Sequence, residues 1–147
     1  MTKELTEILE FANSNPSCWL ASSEDNQPHV RGMLLWFADE TGFYFHSAKA
    51  KRIYRHITNN PKLEAAFIRN ANDPVNFETL HVEGTAEIVK DAELEKRLFQ
   101  ERSWLWNNIK NSGVDTEVVI FRITNGSAYI WNMKWNIREQ EAPRVKF

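Results

Sequence analysis

An antiparallel β-barrel or sandwich with peripheral helices is the fold class this sequence predicts, and three observations carry it. Roughly six or seven short apolar or alternating runs follow one another closely, with only two or three helical patterns among them. Most links between these runs are too short for the crossover helices that a parallel sheet needs. Turn formers punctuate the chain at Glu24-Asp25-Asn26-Gln27, Asp39-Glu40-Thr41-Gly42 and Asn125-Gly126.

Leu5, Ile8, Leu9 and Ala12 share one helical face, so a short amphipathic helix is expected to end before Asn15-Pro16. Ser17 to Ser23 (SCWLASS) reads as a strand, and residues 24–27 as a hairpin loop. His29 to Ala38 (HVRGMLLWFA) is too continuous for a strand with one wet face. It is expected to be a buried central strand, with Gly32 marking a bulge or a close backbone approach. Phe43 to Ser47 follows as another strand.

Ala50 to Thr58 gathers Ile53, Tyr54 and Ile57 on one helical face, and Asn59-Asn60-Pro61 stops it. Lys62 to Arg69 alternates weakly before a polar loop at 70–74. Thr79 to Val89 predicts a long strand with a bulge at Gly84. Ala92 to Lys110 predicts one helix with Gly113 just past its end. Glu117 to Thr124 and Ser127 to Met133 flank Asn125-Gly126, the strongest hairpin signal in the chain.

At 147 residues the chain is expected to form one domain, 1–147. Hydrophobic residues at 42% and charged residues at 26% are ordinary for a globular protein. The net charge of −2 argues against a nucleic-acid coat, and no apolar run is long enough to span a membrane. The lone Cys18 excludes an intramolecular disulfide, and the N-terminus lacks a signal peptide's hydrophobic stretch, so a cytoplasmic location is expected. Aromatics at 12%, six of them Trp, fit either a thick core or a site for a planar ligand.

The histidines lack zinc-binding or metalloprotease spacing, no carboxylate pair stands out, and the nucleophile-elbow, Walker and dinucleotide signatures are absent. No metal site is expected, and a self-contained hydrolase is disfavoured. Positive charge clusters at Lys49, Lys51, Arg52 and Arg55, just after His46-Ser47 and at the start of a helix. A helix N-terminus attracts anions, and Ser47 with these side chains suits a phosphate monoester; a solvated helix face is the competing reading. Arg31 interrupts an apolar strand and needs either an anion or an internal partner. His46 reads as a core histidine or a proton donor.

The blocks PHVRGMLLWF, GFYFHSAKAK, IYRHITNNPKLEAAF and LHVEGTAEI, in that order and spacing, resemble the FMN-binding split β-barrel of the pyridoxamine 5′-phosphate oxidase superfamily. The resemblance is clearest from Pro16 to Val89. It implies that Arg31 meets the flavin phosphate and that the backbone of Gly32, Met33, Leu34, Leu35 and Trp36 lines the isoalloxazine ring. His46-Ser47, Lys51 with Lys49 or Arg52, and Thr79 fall on further cofactor-binding positions, and Trp131 on an aromatic supplied by the partner subunit. The strand ends in Trp36 where the oxidases often carry lysine, and the oxidases' C-terminal Arg-x-His signature is missing. The shorter nitroimidazole-reductase-like and general-stress-type members are therefore the better match.

The expectation is a homodimeric FMN flavoprotein, an oxidoreductase acting on an unidentified small molecule. Two other classes stand beside it: a flavin, haem or deazaflavin carrier without turnover, and a single-stranded nucleic-acid-binding barrel.

Overall fold

The computed structural model describes residues 1–147. It contains eight strands and four α-helices, where the sequence pattern predicts slightly fewer of each. Helix α1 is Lys3–Ser14, β1 Ser17–Glu24, β2 Gln27–Leu34, β3 Phe37–Asp39 and β4 Gly42–Ala48. Helix α2 (Arg52–Asn59), β5 (Lys62–Arg69) and β6 (Glu78–Val89) come next. Helices α3 (Ala92–Arg102) and α4 (Trp104–Ser112), β7 (Val118–Trp131) and β8 (Val145–Lys146) complete the chain.

All pairings are antiparallel, in the order β2-β1-β5-β6-β7-β4-β3, with β8 on β7. Only Leu35 and Trp36 separate β2 from β3, the two ends of that order, so the sheet must curl upon itself. Leu35 N–H reaches the Pro16 carbonyl just before β1 and Trp36 N–H the Tyr44 carbonyl of β4, tying the link to the strand next to each edge. Of the antiparallel barrel or sandwich that the pattern predicts, this is the barrel, with β2 and β3 left unpaired at its seam. Inside lie Leu20, Phe43, Phe45, Phe67, Leu80 and Phe121, with α1 adding Ile8, Phe11 and Ala12. A smaller cluster of Trp36, Tyr44, Leu98 and Ile120 lies beneath α3.

The expected central strand at 29–38 is instead two elements. Its first part, β2, is the sheet edge, and its residues alternate between exposed and half-buried. The apolar run is continuous because the outer face of β2 is itself apolar, with Val30 63% exposed, and because Leu35 and Trp36 turn into separate clusters. The doubly buried strand is β4, whose residues from Gly42 to Ser47 are all buried. Gly32 makes no bulge: it pairs with Trp19 in regular register, and a Cβ there would meet only the Trp19 ring at 4.0 Å.

Asn125-Gly126 is not a hairpin either, because β7 runs straight through it. The register with β6 slips between Glu83 and Thr85, so Gly84 is the bulge expected, and Asn125 takes the left-handed φ of 51° on the facing strand. A Cβ on Gly126 would lie 1.9 Å from the Glu83 carbonyl oxygen, so this glycine serves a close strand approach. The long helix expected at 92–110 breaks at Ser103. Asp91 caps the first half through the Glu93 and Leu94 amides, and the second half ends at Gly113 with φ 72°.

Candidate functional site

A cleft of about 290 Å³ opens where β2, β4, α2 and α4 meet. Strand β2 supplies Gly32, Met33 and Leu34, and the end of β4 supplies His46 and Ser47. Lys51 stands at the start of α2, while Trp104, Leu105, Asn108 and Ile109 of α4 form the opposite wall. No residue of α4 is buried, so this helix covers the cleft without being sunk into the core.

Ser47 is buried, and its Oγ has no hydrogen-bond partner. A buried hydroxyl left unpaired costs about 1–3 kcal/mol, so this atom is poised for an acceptor or donor brought from outside. Beside it, α2 begins at Lys51 with no side chain capping its free amides. Two nearby cations are already neutralised: Lys49 donates to Glu117 at 2.6 Å, and Arg55 to Glu24 at 2.7 Å. Lys51 and Arg52 form no ion pair. Arg31 reaches only neutral acceptors, the Leu20 carbonyl at 3.2 Å and His56 Nδ1 at 3.3 Å. Burial, and then the neighbouring Arg52, hold Arg31 below the ordinary arginine range. The α2 end of the cleft is a cationic, hydrogen-bonding pocket without an anion of its own.

His46 is neutral at physiological pH. Burial first, then Arg102 and Lys51, push it down to about 4. Arg102 Nη1 lies 2.6 Å from His46 Nε2, and because arginine can only donate, Nε2 is the accepting nitrogen. The other Arg102 branch donates to the Leu35 carbonyl at 3.1 Å. A proton-donor role as an imidazolium is disfavoured in this setting, while the neutral ring still lines the cleft. Trp104 meets the imidazole edge-on, with centroids 6.0 Å apart.

Of the residues expected from the sequence, Gly32, Met33, Leu34, His46, Ser47 and Lys51 line the cleft together. Arg31 and Arg52 do not line the cleft; Arg52 is the first residue of α2, and Arg31 lies near enough to feel its charge while its fork contacts the Leu20 carbonyl and His56. Lys49 turns away to Glu117. Leu35 and Trp36 are buried elsewhere, with Trp36 Nε1 donating to Glu101 at 3.1 Å. Thr79 and Trp131 are opposite each other in the β6–β7 register on the outer face, outside this cleft. Arg102 and the α4 wall were missed. The only trace in the sequence is the Arg102-Ser103-Trp104 step, where the helical spacing loses its phase.

The sequence model described as Pyridoxamine 5'-phosphate oxidase matches residues 2–132. The chain belongs to this family. As a member of the pyridoxamine 5′-phosphate oxidase family, it shares its split-barrel fold with solved structures of low identity. A NimC/NimA family protein from Clostridium acetobutylicum superposes with TM-score 0.70 at 18% identity, covering 97% of this chain and 93% of that one. A FAD-binding protein from Mesorhizobium loti gives 0.61 at 19%, covering 84% and 90%. HutZ, the haem storage protein of Vibrio cholerae, gives 0.59 at 20%, covering 80% and 87%. No curated protein matches the chain. This chain has no cluster of three or more His, Cys, Asp or Glu able to hold a metal ion. No helix is long and apolar enough to cross a membrane.

Proposed function

We propose that this protein is an FMN-binding flavoprotein that works as a two-fold dimer and passes electrons to a small molecule. The observation that carries the reading is Ser47 Oγ, buried and unpartnered beside an uncapped helix start and the unpaired Lys51 and Arg52. A phosphate monoester supplies what each of these groups lacks: acceptor oxygens for the hydroxyl, amides and cations. Gly32 offers a flat approach along β2 for a ring, and Met33, Leu34 and Trp104 give apolar walls. The FAD-binding neighbour supports flavin as the class of ligand. When bound, the flavin supplies the redox chemistry; Arg102 and Lys51 keep positive charge near it, and α4 shields it from water.

The haem-storage neighbour raises haem as a rival ligand. His46 is the only histidine lining the cleft, and its Nε2 is engaged by Arg102 at 2.6 Å, which favours flavin over haem ligation.

The dimer rests on size and surface. A volume of about 290 Å³ is at the floor of the ~300–1,000 Å³ range of ligand pockets, so one protomer offers part of a site. Bordering the cleft, the outer face carries Leu34, Val30, Trp19 and Ile68, which are 38, 63, 61 and 42% exposed. An apolar strip of this kind marks an interaction surface. It leads through the Ile68–Thr79 and Thr79–Trp131 pairs to the two residues stranded outside the cleft. A second copy packed on this strip would bring Thr79 and Trp131 to its partner's cleft. The test is a titration of FMN and riboflavin against the purified protein, with mass measured by light scattering. FMN should bind at least tenfold tighter, to a dimer; equal affinities for the two ligands would overturn the phosphate site.

A further inference from the structure

His56 stands behind the cleft on α2, fully buried, and no part of the proposed cofactor site explains it. Two hydrogen-bonding groups converge on its Nδ1: Ser22 Oγ at 2.7 Å and Arg31 Nη2 at 3.3 Å. Arginine can only donate, so Nδ1 must carry the lone pair and Nε2 the proton. The carboxylate of Glu24, 3.7 Å from Nε2, selects the same tautomer from the other side, although Nε2 itself has no hydrogen-bond partner. The groups facing the ring are Ser22 and Glu24 of β1, His29 and Arg31 of β2, and Arg55 of α2 itself. The His29 ring lies against that of His56 with centroids 4.7 Å apart, tilted by 46°. Burial and the charges of His29, Arg31 and Arg55 oppose a proton on His56, and Glu24 favours one; the net effect keeps the pKa below the ordinary histidine range.

Arg31 is thereby fixed by two neutral acceptors from different elements, the Leu20 carbonyl of β1 and the imidazole of α2. A carboxylate in either place would hold the guanidinium as firmly but would cancel its charge. Neutral acceptors set the direction of the fork and leave its charge available to an incoming anion.

We propose that His56, through the lone pair on Nδ1, is the positioning residue for Arg31, aligning an uncompensated guanidinium with the anion site at the start of α2. This rests on the FMN-phosphate reading and deepens it, because affinity for the phosphate then depends on a residue that never touches the ligand.

The experiment is FMN titration by fluorescence quenching at pH 8 for wild type, His56→Leu, His56→Asn, Arg31→Ala and the Arg31→Ala/His56→Leu double variant. His56→Leu should weaken FMN binding about tenfold, as expected for one lost charge-assisted contact. His56→Asn, whose amide oxygen can replace the Nδ1 lone pair, should restore most of it. The double variant should bind no worse than Arg31→Ala alone. Wild-type affinity in His56→Leu, or losses that add fully in the double variant, would overturn the proposal. A second readout needs neither flavin nor a folded Leu variant. Nitrogen NMR of the wild-type protein at pH 8 should show His56 protonated on Nε2, and Arg31→Ala should shift the Nδ1 resonance. A proton on Nδ1, or an unmoved resonance, also overturns it. If wild type binds no FMN, the cofactor reading fails while this NMR result still decides the positioning role.

Discussion

Of two clefts in the barrel, the larger is the less reactive. The larger one, about 780 Å³, opens between β1, β5, β6 and β7, with the chain end at Lys146 and Phe147 along its rim. Its carboxylates are answered: Glu83 by Arg144 at 2.7 Å and Glu64 by His81 at 3.2 Å. Its buried serine, Ser22, hydrogen-bonds His56. The smaller cleft holds the mirror case, a buried serine with no partner beside cations with no anions. Unmet hydrogen bonds and unbalanced charge identify a binding site more surely than volume does.

The largest expected effect separates the two clefts by structure. Gly126 and Gly84 face each other in the wall of the larger cleft, where the strands come closest. Gly126→Ala would place a Cβ 1.9 Å from a backbone oxygen, and the strand would have to move. A loss of about 3 kcal/mol or more is expected in urea unfolding, from overpacking against main chain. Gly32→Ala, in the smaller cleft, meets only a ring edge at 4.0 Å and should fold normally. Equal stabilities for the two variants would erase the distinction between a structural glycine and one that lines a site.

Acid sharpens the same comparison. His46 titrates at about 4 in the folded protein against an ordinary 6.5. Below pH 6.5 the unfolded chain takes up a proton that the folded chain refuses, so this contribution to stability is full above 6.5 and is lost as pH falls toward 4. The shift corresponds to about 3 kcal/mol, and His56 adds a loss of the same sign. Unfolding free energies from pH 8 to 4 should fall accordingly, and His46→Gln should flatten the curve. An unchanged slope in that variant would mean that burial and the neighbouring cations do not hold the His46 ring neutral.

Arg31→Ala comes next. One charge-assisted contact contributes roughly 1.5–3 kcal/mol, so FMN affinity should fall about 10–150-fold with the fold intact. Lys51→Ala should lose less, since Arg52 stands beside it. Lys49, committed to Glu117, is no substitute for either. Wild-type occupancy in both variants would move the phosphate elsewhere.

Legibility in the sequence followed the range of the forces involved. Helix α1, the Gly84 bulge and the antiparallel barrel class depend on local periodicity and short links, and all three were readable. The cations around Lys51 were also visible, because like charges at a helix start are a local pattern. Asn125-Gly126 misled because the left-handed asparagine it signals is real, yet its use is set by Glu83 on another strand. The run 29–38 misled because apolar residues facing outward read the same as apolar residues facing a core. Arg102 was invisible, since nothing within a charged helix tells which arginine will reach a histidine 56 positions away.

The smallest expected effect concerns the two buried serines, and its value lies in its sign. Ser22→Ala removes a 2.7 Å hydrogen bond to a fully buried imidazole, leaving Nδ1 with only the longer contact to Arg31. Stability should fall by about 1 kcal/mol, the net worth of a typical buried hydrogen bond. Ser47→Ala removes a hydroxyl that has no partner to lose. Without ligand its stability should stay level or rise by a few tenths of a kcal/mol, because an unmet polar group has been taken out of the interior. With FMN present the order reverses: wild type should gain more thermal stability from the ligand than Ser47→Ala does, since only wild type can hydrogen-bond the phosphate there. Thermal unfolding of both variants with and without FMN separates these outcomes. A loss of stability in ligand-free Ser47→Ala would show that Ser47 already has a partner, and the smaller cleft would then be as satisfied as the larger one.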